Sequence, residues 1–168
     1  MIGLLGALWG LGGFSLLLGY AIIRLAPIAI DAFSHQFRWY HWVVLAVNTL
    51  FMAYLEGYRG FQKGFSPRVV ARAKHMSSYP RLLHILLGPL YCMGYFHTSR
   101  KRKIAAYSLT GSIIILIFLI RQLEQPWRGI IDVGVVVGLS WGLVSLLIYS
   151  VQALTSKEFN HSPEIPEP

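Results

Sequence analysis

The segment with the clearest chemical potential is Glu56–Phe65, where a carboxylate and two cations lie among glycines. Glu56 and Arg59 are three residues apart and can pair on one helix face, and Arg59 and Lys63, four apart, share a face. The favoured interpretation is a helix end whose cations extend their charged tips to water. The alternative is that Arg59 and Lys63 bind the phosphate of an anionic headgroup.

A second basic segment follows directly. Ser66-Pro67 is typical of a helix start, with serine as N-cap and proline in the first turn. Apolar residues then recur at helical spacing, with Arg68, Arg72 and Lys74 elsewhere on the wheel. This pattern predicts an amphipathic helix over 67–76 on an anionic cytoplasmic membrane surface, with the three cations contacting headgroups.

His84 lies in an apolar run, where an ionisable side chain is a functional candidate. A hydrogen-bonded structural histidine is the favoured interpretation of His84, and the alternative is a polar pocket formed by Glu56, His84 and Tyr91. His97 follows 13 positions later, which places the two histidines on nearly opposite faces of a continuous helix. Paired histidine ligation of haem is therefore not expected, and we predict neither metal nor cofactor.

No catalytic motif is present. The sequence lacks His-Glu-x-x-His, Gly-x-Ser-x-Gly, a Walker loop and Gly-x-Gly-x-x-Gly. Three of the seven carboxylates lie in the C-terminal tail, which leaves little material for carboxylate catalysis. We name no catalytic residue and leave enzyme activity open, with a non-enzyme favoured. The basic stretches have no nucleic-acid-binding motif around them and are assigned to topology and lipid.

The composition indicates the elements that must position these residues. Hydrophobic residues make up 55% of the 168 residues and charged residues 13%, about half the usual share of a soluble domain. The sequence therefore predicts an all-α, polytopic membrane protein. The single cysteine excludes an internal disulfide and a cysteine-based zinc cluster.

Five apolar runs lie within residues 1–154, which we expect to form a single helical membrane domain. The polar tail that follows, residues 155–168, is expected to be disordered. Four runs are long enough to cross a bilayer once flanking aromatic residues are included, at about 2–24, 39–58, 104–121 and 130–154. The remaining run, 81–97, is interrupted by Gly88-Pro89 and is predicted to be re-entrant or interfacial. A kinked fifth span is the alternative.

Basic residues set the predicted orientation. Residues 56–81 carry six of the 15 Lys and Arg, and residues 98–103 carry four more. Because basic loops stay cytoplasmic, both stretches are expected inside, with both termini also inside. A bacterial inner membrane is the expected location.

Glycines predict how the helices pack. Gly134, Gly138 and Gly142 repeat at spacings of four in the last span, and Gly6 and Gly10 do so in the first. Such spacing lets backbones approach closely. We expect the first and last helices to pack together within one chain, with a homo-oligomer as the alternative.

Three functional hypotheses follow. The first is a non-enzymatic accessory or scaffold subunit that contacts anionic lipid or a larger membrane complex. The second is an enzyme or carrier for a phosphorylated amphiphile at the cytoplasmic leaflet. The third is a proton or ion pathway through Asp132, Asn48 and Glu56, although Asp132 can instead pair with Arg128 one turn earlier.

Overall fold

The computed structural model describes residues 2–155 and 161–162. Within that part of the chain the fold is all-helical, as predicted, and contains no strand. Most of the predicted tail, 155–168, lies outside the described residues. The helices are α1 (Ile2–Asp31), α2 (Trp39–Met52), a π-helical segment (Ala53–Phe65), α3 (Ser66–Ser78), α4 (Leu82–Leu86), α5 (Gly88–Met93), α6 (Arg100–Ile120) and α7 (Trp127–Thr155).

Three of these helices are long and apolar enough to cross a membrane: α1 with its short 3₁₀ extension, α6 and α7. They match three of the four predicted spans. The fourth predicted span, 39–58, divides at Met52 between α2 and the π-helical segment. The α2 helix has only 14 residues, but the chain continues helically without a break through to Ser78.

The π-helical segment is wound more widely than an α-helix, with backbone bonds to the fifth preceding residue, as in the bond from the Ser66 N–H to Phe61 O. Glycine at two positions permits this winding. A Cβ at Gly60 would come within 3.0 Å of Leu55 O, and one at Gly64 within 3.3 Å of Arg59 O. Each of these carbonyls belongs to the fifth preceding residue.

The order of contacts along the helices gives their relative directions. Gln125, just before α7, donates to Ile28 O at the end of α1 over 3.2 Å. In the first half of α1, Phe14 packs on Phe65, which immediately precedes Ser66, the partner of Ser145 on α7. Helix α1 therefore runs antiparallel to α7, and the α2–π–α3 rod runs parallel to α7.

Helix α3 differs from the prediction in how it begins and what it faces. The α-helix does begin at Ser66, with Pro67 in its first turn, as predicted. Ser66 does not cap it, however, because Ser66 has helical backbone angles and the chain is already helical in the preceding π-helical segment. The apolar side of α3 is buried inside the protein, with Val69, Val70 and Met76 at most 1% exposed. These residues pack against α1 and α7 because those helices present apolar faces to α3, so they are not available to enter a membrane interface.

The run 81–97 forms two short helices, α4 and α5, separated at Leu87, where the backbone leaves helical geometry. Gly94, with φ +86°, ends α5 in the left-handed conformation that favours glycine. Five and six residues of helix are too short to cross a bilayer. The kinked fifth span is therefore not present in this structure.

The glycine stripes pack within the chain but not against each other. The stripe of α1 faces α4 and α5: Gly6 contacts Ile85, and Gly10 contacts Gly88 and Cys92. The stripe of α7 instead faces the α2–π rod, as the next section describes. Helices α1 and α7 do pack together as expected, with Gly129 of α7 against the end of α1.

Helix α6 stands apart from this bundle. Every residue from 112 to 119 is exposed, and the helix approaches the other elements in its first half and again at its last residue, Ile120, which is buried. Thr110 hydrogen-bonds the Tyr95 hydroxyl. This arrangement leaves a cleft between α6 and α3.

Candidate functional site

Arg72 is buried at the end of the bundle that the sequence predicts to face the cytoplasm, and it is only 3% exposed. Its Nε donates to Tyr91 O over 2.7 Å, and one terminal nitrogen donates to Phe96 O and His97 O over 2.8 and 3.1 Å. The guanidinium also lies 4.3 Å from the centre of the Tyr91 ring. Arg72 thus ties α3 to the chain following α4, rather than presenting its charge to the outside as predicted.

The same region brings His84 and Tyr91 together, as the predicted pocket requires. Their rings stack with centroids 4.2 Å apart, and both side chains are at most 5% exposed. The His97 ring lies 4.7 Å from the His84 ring. The placement of the two histidines on opposite faces was wrong, because the continuous helix that it assumed is broken at Leu87 and ends before Gly94.

Both nitrogens of His84 are buried without a hydrogen-bond partner, as is the hydroxyl of Tyr91. Burial lowers the pKa of His84 to about 4, helped by the neighbouring His97, Arg81, Arg72 and His75. Burial also raises the pKa of Tyr91. These groups are therefore neutral near pH 7. No group of three or more potential metal ligands is found among the described residues.

A cavity of about 110 Å³ lies in the cleft between α3 and α6. Its polar lining is formed by Arg68, Arg72, Arg102 and Thr98. Its apolar lining is formed by Phe65, Val69, Met93, Ala105, Ala106 and Leu109. The cavity therefore brings three arginine residues beside apolar side chains, and one of them, Arg72, is already bonded to backbone carbonyls.

The other predicted headgroup contacts lie elsewhere. Arg59 and Lys63 are exposed on the π-helical segment, and Lys63 lies 4.7 Å from the centre of the Tyr58 ring. Lys74 is half-buried near the end of α3. Neither Arg59 nor Lys63 lines the cavity, whereas Arg68 does.

Glu56 is not part of the His84–Tyr91 pocket. It lies between the π-helical segment and α7, where a Cβ at Gly138 would come within 2.7 Å of Glu56 Oε2. The expected pair with Arg59 does not form, and Oε2 is buried without a hydrogen-bond partner. The three-residue polar pocket thus divides between two interfaces.

The remaining residues of the predicted ion pathway share the interface of Glu56. Asn48 donates to Ile130 O over 2.9 Å and lies against Gly134. Asp132 lies 3.9 Å from Arg128, so the predicted ion pair is confirmed, although it is too long for a hydrogen bond. Further along, Gly142 contacts Phe61.

No protein-family model, curated protein or solved structure matches this chain.

Two polar cavity residues were not among the predicted site residues. Arg102 was assigned to topology and lipid as one of four consecutive cations, and Thr98 carried no pattern. A helical wheel for α6 offers a signal for Arg102: with Ala105, Ala106 and Leu109 it forms a face of spacing three and four. Small residues on that face leave room for a ligand.

Proposed function

We propose that this protein binds an anionic lipid headgroup in the α3–α6 cavity and serves as a non-enzymatic accessory or scaffold in a membrane. In this proposal α2 and the first part of the π-helical segment form a fourth span beside α1, α6 and α7. Both termini face the cytoplasm, and the membrane is a bacterial inner membrane. The observation that carries the proposal is the set of three arginines lining one cavity against an apolar wall.

Charge and size both suit a phosphate group. A guanidinium group recognises phosphate through several N–H donors, and each cation near an anionic surface contributes about 1 kcal/mol. A cavity of about 110 Å³ is several times larger than a single water needs. It can therefore hold the charged part of a headgroup.

The apolar lining supports a lipid rather than free phosphate. Phe65, Val69 and Leu109 line the same cavity as the arginines. Beyond Leu109, α6 continues as a fully exposed apolar helix from 112 to 119, separated from the bundle. An acyl chain attached to the bound headgroup would lie along this face.

Orientation is supported by the charges at the two ends of the bundle. The α3–α6 cavity, the cations at the start of α6 and the first turns of α1 lie at one end. The opposite end carries exposed Trp39 and Trp42, typical of a headgroup-level aromatic belt. The basic end is the one expected in the cytoplasm.

The enzyme alternative has less support from this arrangement. Its proposed site needed Glu56 beside His84 and Tyr91, and these residues lie at different interfaces. The scaffold part of the proposal is supported by α6, whose exposed apolar face is available to lipid or to a membrane partner.

Retention of added lipid by the purified protein tests the proposal. We expect phosphatidylglycerol to be retained in preference to phosphatidylcholine, measured by native mass spectrometry in mild detergent. Arg102→Gln should weaken that retention about fivefold, as expected for about 1 kcal/mol per cation. Lys101→Gln is the matched control, because Lys101 is exposed and does not line the cavity.

The outcomes separate the two kinds of binding. A selective loss in Arg102→Gln supports a specific site, and equal small losses in both variants would show a diffuse basic surface. Inorganic phosphate that competes as well as lipid would show that the apolar wall contributes nothing. Retention of both lipids to the same extent would contradict the proposal.

A further inference from the structure

Glu56 is half-buried at the interface between the π-helical segment and α7, and its Oε2 atom is fully buried there. It contacts α7 at Gly138, which follows Gly129 by nine residues. At 1.5 Å per residue this is about 14 Å, close to half the thickness of a hydrocarbon core of about 30 Å. Gly129 lies two residues after Trp127, whose ring stacks on Tyr40 at the aromatic end of the bundle. With these rings at headgroup level, Glu56 lies near the middle of the bilayer.

Its surroundings do not compensate a negative charge. Glu56 Oε2 is buried without a hydrogen-bond partner, and Gly138 offers it only backbone that is already helical. The elements packed against it carry these ionisable groups: Arg128, Asp132 and Tyr149 on α7, Tyr40 and His41 on α2, Arg68, Arg72, Lys74 and His75 on α3, and Tyr54, Tyr58, Arg59 and Lys63 on its own segment. None of them forms an ion pair or hydrogen bond with this carboxylate among the described residues.

The chemistry of a carboxyl group in such a place favours its protonated form. An unpaired carboxylate in hydrocarbon is costly, whereas the neutral acid keeps a donor and an acceptor and loses far less solvation. Intramembrane carboxyls of this kind are typical of proton-binding sites.

Two further features of the interface agree with proton exchange. π-Helical turns are frequent at functional sites, and this one surrounds the carboxyl. Asn48 and Asp132 lie in the same interface, between Glu56 and the aromatic end. They place polar groups along the direction from which a proton would come.

We propose that Glu56 is a proton-binding site within the membrane layer, protonated in this conformation and able to exchange its proton. This inference is independent of headgroup binding, since the α3–α6 cavity does not include Glu56. It develops the hypothesis of a proton or ion pathway through Asp132, Asn48 and Glu56, and it assigns proton binding to Glu56.

A lipid-soluble carbodiimide tests this site directly, because it reacts with a protonated carboxyl inside the membrane. Its reaction converts the carboxyl to a stable N-acylurea, adding the whole reagent to the side chain. We expect one adduct per chain on Glu56 when the full-length protein in liposomes is treated with dicyclohexylcarbodiimide and mapped by mass spectrometry. The adduct should be absent from Glu56→Gln and retained in Asp132→Asn.

The pH dependence identifies the proton as the ligand. Labelling at pH 6 should exceed labelling at pH 9 by about tenfold or more, since each pH unit above the midpoint lowers the protonated fraction tenfold. Reagent hydrolysis is controlled by measuring, at each pH, the dicyclohexylcarbodiimide that remains in the liposomes at the end of the reaction.

Three results would overturn the proposal. One is no adduct on Glu56 in a protein whose circular dichroism and elution are normal. Another is labelling that does not change with pH. The third is protection by 100 mM Na⁺ at constant pH, which would assign the site to a metal cation instead of a proton.

Discussion

Replacing Gly10 with alanine tests whether α1 is packed tightly against α4 and α5. A Cβ at Gly10 would lie 2.7 Å from Cys92 Sγ, 3.2 Å from Gly88 O and 3.3 Å from Gly88 C. Two of these atoms are backbone, and Cys92 is only 1% exposed, so none moves freely. We expect overpacking to cost about 1–3 kcal/mol.

Gly12 is the matched control, two residues further along the same helix. A Cβ there would meet nothing within 4 Å. Both substitutions gain the same helix propensity, about 1 kcal/mol, and that gain cancels when the variants are compared. The difference between them is therefore the overpacking cost of about 1–3 kcal/mol, which by the scaling for chains of this size lowers Tm by about 2–12 °C.

Thermal unfolding in detergent, followed by circular dichroism or by size-exclusion chromatography after heating, measures this difference. Gly12→Ala is expected to match or exceed the parent, and Gly10→Ala to fall below both. Equal melting temperatures for the two variants would show that α4 and α5 do not rest on α1. The arrangement of the cytoplasm-predicted end would then be wrong.

Three other predictions follow from named contacts. Arg72→Met should lower stability by about 2 kcal/mol, because one buried and two partly buried carbonyls lose a charged donor. Arg72→Lys should not restore it fully, since one ammonium cannot reproduce the planar guanidinium. Unfolding in detergent measures both variants. Acidification from pH 6.5 to pH 4 should destabilise the protein, because the pKa of His84 is lowered to about 4 in the folded state and the unfolded chain therefore binds the proton first. The loss of stability is at most about 3 kcal/mol before solvent screening. In His84→Phe, the Tm should depend less on pH. A single cysteine placed at Leu154 in a Cys92→Ser background should be labelled by an impermeant maleimide only from the cytoplasmic side, and labelling from outside would contradict the proposed orientation.

The sequence predicted the helices well where one physical signal dominates. Long apolar runs gave the three membrane-length helices to within a few residues at most ends, because burying backbone in hydrocarbon requires a helix. The α1 helix continued to Asp31, past Arg24 and Pro27, since a proline kinks a helix but need not end it. The α3 prediction had the right bounds to within two residues but the wrong environment.

The site was harder to predict because it depends on where helices break and which faces meet. Ser66-Pro67 carried a strong start signal, yet the helix continues through it, with Ser66 bonded to Ser145. His84 and His97 meet only because the backbone leaves helical geometry at Leu87 and again at Gly94. Helical periodicity in the sequence predicts neither the contact of Ser66 with Ser145 nor that of His84 with His97.

The most direct test of headgroup binding is to find where an anionic lipid lies on the protein. We would use phosphatidylglycerol carrying a photoactivatable diazirine near its glycerol, reconstitute the full-length protein with it, irradiate, and map adducts by mass spectrometry. The account predicts adducts on Phe65–Val69 and Ala105–Leu109, reduced by excess unlabelled phosphatidylglycerol and by Arg102→Gln but not by Lys101→Gln. Adducts spread evenly along the exposed face of α6, unchanged by competitor or by Arg102→Gln, would contradict a headgroup site between α3 and α6.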